Sequence, residues 1–207
     1  MEDDELKSVR NYFYLGLSEG LAQEIAAIKS GGNKELIVGA EVYKNRHVLN
    51  SDPDAVFKNV PQNAATALQA VKLLGTYKTA QEDNKELVFD QIKEWLSDES
   101  LSKDSTLQLL SAQVYFEHKN YKEALKIVSQ PPPKLEKLAL QVVVYLKIDR
   151  VDLATKTLKM MQDIDDDDTL TQLATSWVYI SQGEEKVTEA SFLLQELMEK
   201  FDVSISV

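Results

Sequence analysis

An internal repeat in the second half of the chain constrains its fold more than any other sequence feature. Tyr115 and Ala124 of one segment correspond to Tyr145 and Ala154 of the next, and both pairs have the same spacing. In the last segment Ala190 takes the place of Ala154, at a slightly longer spacing. The two spacings bracket the period of about 34 residues that is typical of tetratricopeptide repeats. Small residues at such positions let two helices of one repeat approach closely.

Apolar residues recur at helical spacing along most of the chain, and short polar turns join the helical segments. Helices joined this tightly run antiparallel and pack on their sequence neighbours. Only the last residues, Val203–Val207, alternate with the period of a half-buried strand. We therefore expect an all-α, tetratricopeptide-like solenoid of antiparallel helix pairs in a right-handed superhelix. A generic bundle of helical hairpins with accidental periodicity is the alternative.

The pattern predicts a single helical-repeat domain over residues 1–207. Its expected parts are irregular first repeats at 1–62, a helix pair at 63–104, repeats at 105–133, 134–163 and 164–201, and a tail at 202–207. In the irregular part, Ser18 is expected to cap the second helix. A left-handed glycine in Ser30–Asn33 is expected to end that helix. Residues 50–54 are expected to form a turn.

The charge balance argues against several kinds of partner. The chain has 34 acidic and 23 basic residues, for a net charge of -11. A nucleic-acid-binding protein neutralises phosphates with a basic surface, so we expect no nucleic-acid partner. Unaided adhesion to an anionic membrane is disfavoured for the same reason. The longest apolar run, Val142–Leu146, is far shorter than the roughly 20 residues of a membrane span, so no direct membrane insertion is expected.

The first six residues and the cysteine count indicate the compartment. Met1–Leu6 is acidic, unlike the basic and apolar start of a signal or transit peptide. The chain has no cysteine, which excludes disulfides and thiolate metal sites. We therefore expect a cytoplasmic protein.

The acidic run Asp165–Asp168 is compatible with a calcium loop or with the capping of a helix. Counted from Asp163, the sixth and twelfth places of an EF-hand loop need glycine and glutamate, but this chain has Asp168 and Ala174. Carboxylates at a helix start accept hydrogen bonds from free N–H groups and favour the helix dipole. Helix capping is therefore the expected role.

No catalytic or cofactor motif is present. His47 and His118 are the only histidines, and neither has an Asp, Glu or His partner at ligand spacing. His118 is expected only to end a helix. Phosphate-binding loops, nucleophile elbows and zinc-protease motifs are all missing from the sequence. We expect no catalytic, cofactor-binding or metal residues. A helical enzyme whose site is assembled from scattered residues stays an alternative.

A partner surface is expected on the first helix of each repeat, because that helix lines the groove in tetratricopeptide proteins. Apolar side chains that point away from the hairpin core need another cover, which a partner segment supplies. The alternative is that they pack against the neighbouring repeat. The expected partner-binding residues are Leu109, Gln113, Phe116, Val143, Leu146, Lys147, Trp177 and Ile180.

Four segments resemble the coatomer epsilon subunit family. The most specific is Lys159–Val178, with Thr-Leu-Thr-Gln-Leu-Ala at its centre; the others are Val9–Gly16, Leu68–Leu74 and Glu189–Lys200. The likeness is nearly continuous from Asn63 to Phe201 and poor between Gly31 and Gln62. Two departures are the Gly183-Glu184 pair, where the family has Gly-Gly, and the absence of the further repeats that follow Phe201 in family members.

The resemblance implies a tetratricopeptide-like subunit of the coatomer (COPI) vesicle coat without catalytic activity or cofactors. It implies binding to the carboxy-terminal tail of the coatomer alpha subunit and assembly with other coatomer subunits. It also implies a role in retrograde Golgi-to-ER and intra-Golgi transport. The expected location is then the cytoplasm and the surface of Golgi membranes and coated vesicles. The alternative function is that of a generic tetratricopeptide adaptor that binds a peptide segment of another protein.

Overall fold

The computed structural model describes residues 5–201, and the regular secondary structure of these residues is entirely helical, with no β-strand among them. The helices are α1 (Lys7–Tyr14), α2 (Ser18–Gly31), α3 (Lys34–Val48), α4 (Pro53–Asn59), α5 (Thr66–Thr79), a 3-10 helix (Glu82–Asn84), α6 (Lys85–Ser97), α7 (Ser105–Glu117), α8 (Tyr121–Val128), α9 (Leu135–Lys147), α10 (Val151–Asp165), α11 (Thr169–Ser181) and α12 (Glu184–Lys200). The all-α class is confirmed. The alternating segment Val203–Val207, and the predicted tail that contains it, lie outside the described residues.

The chain divides into two compact units, of which the first ends at His118 and the second begins at Lys119. The division falls inside the predicted repeat 105–133, since α7 belongs to the first unit and α8 to the second. The predicted single domain, its repeat boundaries and the right-handed superhelix stay predictions.

The first unit is built around α3. The helices α1, α2 and α3 pack on one another around a core of Val9, Leu21, Ile25, Ala40 and Tyr43. The other side of α3 contacts α4 and α5, and α5 in turn packs on α4 and α7. Because α3 contacts four other helices, this unit is a cluster and not a row of hairpins.

The second unit is a row of hairpins. The most extensive contacts join α9 to α10 and α11 to α12, and α11 also packs against both helices of the preceding hairpin. Ala124 and Ala154, which we expect at close helix crossings, are both fully buried, and Ala190 is 1% exposed. Sequence periodicity therefore identified three buried small residues, but Ala190 is not equivalent to Ala154, because it is the seventh residue of α12 whereas Ala124 and Ala154 are the fourth residues of α8 and α10.

Two predicted features of α2 are wrong. Ser18 is the first residue of the helix, while Leu17 occupies the N-cap position without a side-chain hydrogen bond. Gly32, the residue that ends the helix, has φ -79° and ψ 157°, which is extended and not left-handed. This conformation leads directly into Asn33, whose side chain caps α3 by accepting from the Leu36 amide. The two residues Gly32 and Asn33 therefore end α2 and start α3 with no further linker between the helices.

The predicted turn at residues 50–54 contains the start of a helix, α4. Asp52 is its N-cap, and its carboxylate accepts a hydrogen bond from the Ala55 amide at 3.1 Å. Pro53 follows at the first helical position, where the missing N–H group costs no hydrogen bond. None of the helices in residues 5–201 is both long enough and apolar enough to cross a membrane.

Candidate protein-interaction surface

Three helices, α7, α9 and α11, are equivalent in length and in their spacing along the chain. We call them the leading helices. Each is 13 residues long. Their N-cap residues are Asp104, Lys134 and Asp168, so the two spacings lie at or just below the tetratricopeptide period of about 34 residues. The same two spacings relate every position of the three helices.

The turn that follows each leading helix carries a positive φ at the equivalent residue. These residues are Lys119 at 63°, Asp149 at 59° and Gly183 at 102°, and their spacings equal those of the three N-cap residues. Gly183 combines its φ with a ψ of -172°, a conformation that only glycine adopts readily. A recurrent positive φ supports the repeat independently of the side chains.

The predicted partner-binding residues occupy recurrent positions in the leading helices. Gln113, Val143 and Trp177 are the ninth residues of the leading helices. Phe116, Leu146 and Ile180 are the twelfth residues. Six of the predicted residues therefore lie at two positions of the repeat, with three residues at each position.

The α9 and α11 residues lie in one unit on two helices in contact. Because α9 and α11 are leading helices of successive antiparallel hairpins, they run in the same direction, and equivalent residues lie at the same end. Val143, Leu146 and Trp177 are half-buried, and Ile180 is 51% exposed. We call these four residues the α9–α11 surface. An apolar surface that stays partly exposed is suited to contact with another protein.

The remaining predicted residues are placed differently. Leu109 is only 5% exposed, so its side chain is not available to a partner in this conformation. Gln113 is half-buried and donates a hydrogen bond from Nε2 to Glu117 Oε1 at 3.3 Å. Phe116 is half-buried on α7, in the first unit, and Lys147 is exposed at the end of α9. Lys147 adds a positive charge beside the α9–α11 surface.

Sequence reasoning missed a third tyrosine. Tyr179 is the eleventh residue of its leading helix, as Tyr115 and Tyr145 are of theirs. Its ring lies under Lys186 of α12, with the ammonium 5.0 Å from the ring centroid. The available indication was its spacing from Tyr145, which equals the spacing between the N-cap residues of the two helices. A cation above the ring fixes the start of α12 relative to α11.

The acidic run has one capping residue. The Asp168 carboxylate accepts from the Leu170 amide at 2.8 Å, and Asp168 is 4% exposed. Asp165 ends the preceding helix, so the capping prediction is confirmed for Asp168 and wrong for the residues before it. Within residues 5–201, no three His, Cys, Asp or Glu side chains are grouped so that they could hold a metal ion.

Both histidines contact side chains of other helices. His47 Nε2 lies 2.9 Å from Ser18 Oγ. His118 ends α7, but its ring also packs against Phe89, with centroids 4.8 Å apart, and its Nδ1 lies 3.3 Å from the Tyr77 hydroxyl. The expectation that His118 only ends a helix is wrong, because its partners come from α5 and α6, which are distant in sequence.

The family model and the relatives that match this chain all describe coatomer epsilon subunits. The model of the family described as "Coatomer epsilon subunit" matches residues 2–207. The chain is 35% identical over 206 residues to "Coatomer subunit epsilon-1" of Oryza sativa subsp. japonica, covering 97% of this chain and 68% of that protein. It is 31% identical over 201 residues to "Coatomer subunit epsilon-1" of Arabidopsis thaliana, with the same coverages. The Dictyostelium discoideum "Coatomer subunit epsilon" is 30% identical over 208 residues, covering 97% of this chain and 69% of its own.

Proposed function

The chain belongs to the coatomer epsilon subunit family, and from this premise we propose that it binds the carboxy-terminal tail of the coatomer alpha subunit. Members of this family are structural subunits of the coatomer vesicle coat, so association with other coatomer subunits follows from membership. We propose further that the chain acts by binding and not by catalysis. Its proposed setting is the Golgi membrane and coated vesicles, in retrograde Golgi-to-ER and intra-Golgi transport.

The observation that carries the proposal is the recurrence of partly exposed apolar residues on α9 and α11. Val143 and Trp177 are equivalent, as are Leu146 and Ile180. A groove lined by equivalent positions of successive repeats offers a regular row of contacts to an extended segment. Lys147 at the edge of this row is suited to pair with a carboxylate of the tail.

The test is the affinity of the purified chain for the alpha-subunit tail, measured by titration calorimetry. Leu146→Glu places a charge on the α9–α11 surface, where binding would desolvate it. Ile180→Glu does the same at the equivalent position of α11. We expect each variant to bind at least about ten-fold more weakly, a loss of roughly 1.4 kcal/mol, with a nearly unchanged Tm.

The matched control is Met160→Glu. Met160 is 44% exposed on α10, the second helix of its hairpin, and is not part of the proposed surface. The Met160→Glu variant should bind the tail with the affinity of the wild-type chain. Normal binding by both Leu146→Glu and Ile180→Glu would refute the assignment. Unfolding of both variants would make these positions core and place the binding surface elsewhere.

A further inference from the structure

An open apolar groove of about 350 Å³ runs along α2 and α3 in the first unit. Leu21 and Ile25 form its floor and are 3% and 5% exposed. Ala22 and Ala26 also line the groove and are exposed. Because these two side chains are methyl groups one helical turn apart, they leave space for the side chains of another segment.

The groove has a defined length and two different ends. Its α2 face extends from Ser18 to Lys29, which is about 16 Å of helix, or three turns. Ser18 Oγ and His47 Nε2, 2.9 Å apart, lie at one end. Lys29 lies at the other end, and the ammonium group of Lys44 is close to it because both lysines pair with Glu41.

The lysine end carries a net positive charge. Glu41 is its carboxylate, and it pairs both with Lys29 and with Lys44, whose Nζ lies 3.4 Å from Oε2. Burial raises the pKa of Glu41, but the hydrogen bond and charge of Lys29 and the charge of Lys44 bring that pKa below its ordinary value. Glu41 is therefore ionised at neutral pH. Two ammonium groups against one carboxylate leave an excess of one positive charge in a chain whose net charge is -11.

We infer that the α2–α3 groove binds an amphipathic helix of about three turns from a partner protein. Apolar side chains of that helix, spaced by three or four residues, fill the space above Ala22 and Ala26. An acidic side chain at one end of the helix reaches Lys29 and Lys44. A helix is the favoured occupant because the groove runs along two packed helices and offers no unpaired strand edge for an extended peptide.

This surface is separate from the one proposed for the alpha-subunit tail. The α2–α3 groove lies wholly in the first unit, whereas the α9–α11 surface lies in the second. Variants of one surface leave the residues of the other unchanged. Loss of tail binding and loss of helix binding are therefore distinguishable outcomes.

The test is selection of ligands for the full chain from a displayed library of 14-residue peptides. The library fixes leucine at three positions spaced by three or four residues and randomises the rest. We expect the selected peptides to carry aspartate or glutamate at one end. Ala26→Trp, which fills the groove from an exposed position, should weaken their binding at least ten-fold, as measured by fluorescence anisotropy.

A charge reversal tests the proposed contact between the two lysines and the acidic side chain of the bound helix. The double variant Lys29→Glu and Lys44→Glu should lose the acidic peptides and prefer copies with lysine in place of the acid. Lys126→Glu is the matched control, because Lys126 also pairs with a carboxylate one turn away, at 3.4 Å, but on α8. Its affinity should not change. Failure to select any ligand, or ligands whose binding survives Ala26→Trp, would overturn the inference.

Discussion

Both units bury alanines in their helices, but the first unit also places glycine inside helices where other segments pack closely. In the second unit four alanines are each at most 1% exposed, namely Ala124, Ala154, Ala174 and Ala190. Alanine has the highest helix propensity, so these crossings do not weaken the helices that form them. The repeat is therefore compatible with strong local helix formation.

The first unit has buried alanines as well, Ala40, Ala70 and Ala112, but it also has glycine inside helices at positions where other segments pack closely. A Cβ on Gly39 would lie 2.6 Å from Leu6 Cδ1, and one on Gly75 would lie 3.1 Å from Leu49 Cδ1. Glycine within a helix costs about 1 kcal/mol relative to alanine. The neighbours that need the space come from other segments of the unit. The comparison shows that the first unit depends more on contacts between distant segments and the second more on local pattern.

The largest expected effect is on an alanine crossing of the second unit. Ala124→Leu should destabilise the chain by about 1–3 kcal/mol, because a fully buried site has no room for three more carbons. The measurement is the free energy of unfolding in urea. Lys122→Leu, an exposed position on the same helix, is the control and should change stability by less than about 0.5 kcal/mol. Equal stability of the two variants would mean that Ala124 does not lie at a close crossing.

A smaller effect is expected at the caps, which the two units share. Asp104 accepts from the Thr106 and Leu107 amides at 2.8 and 2.9 Å, and Asp168 caps α11 at the equivalent position. Asp104→Ala and Asp168→Ala should each cost about 0.5–2 kcal/mol of unfolding free energy.

Asp166→Ala is the control for the caps, since Asp166 is exposed in the turn before α11 and caps no helix. Its stability should stay within about 0.5 kcal/mol of wild type. A loss at Asp166 as large as that at Asp168 would show that the run acts through its summed charge and not through one hydrogen bond.

The smallest effect is expected at a glycine of the first unit. Gly75→Ala gains helix propensity but crowds Leu49, so unfolding free energy should change by less than about 1 kcal/mol. Gly31→Ala is the matched comparison, because a Cβ on Gly31 meets nothing within 4 Å. Gly75→Ala should be the less stable of the two. If Gly75→Ala were the more stable variant, tight packing would not explain the glycine.

The helices of the second unit were predictable from the sequence because the evidence for them is local. The small residues, the short turns and the spacing of the leading helices can all be recognised within one repeat of about 34 residues. The helix α4 escaped recognition because so short a helix shows no clear periodicity, although Asp52 and Pro53 are a typical helix start. The contacts of His118 with Tyr77 and Phe89 were not predictable from spacing, since they depend on how three helices pack.

The sequence was sufficient to predict which residues of the candidate surface are equivalent. It was not sufficient to predict which of their side chains are exposed. Projection from the core stripe found the equivalent residues Leu146 and Ile180, because helical geometry fixes which residues share a face. It also chose Leu109, which the packing of neighbouring helices buries. Burial of one side chain depends on every element around it, and a single helix does not contain that information.

The most direct test of the account is the location of the alpha-subunit tail on the chain. A photo-crosslinking amino acid at position 180, where Ile180 is 51% exposed, should form a covalent adduct with the tail that mass spectrometry detects. The same amino acid at position 160 on α10 is the control and should give none. Adducts from position 180 alone are the predicted result. Adducts from position 160 without any from position 180 would contradict the assignment of the binding surface to the leading helices.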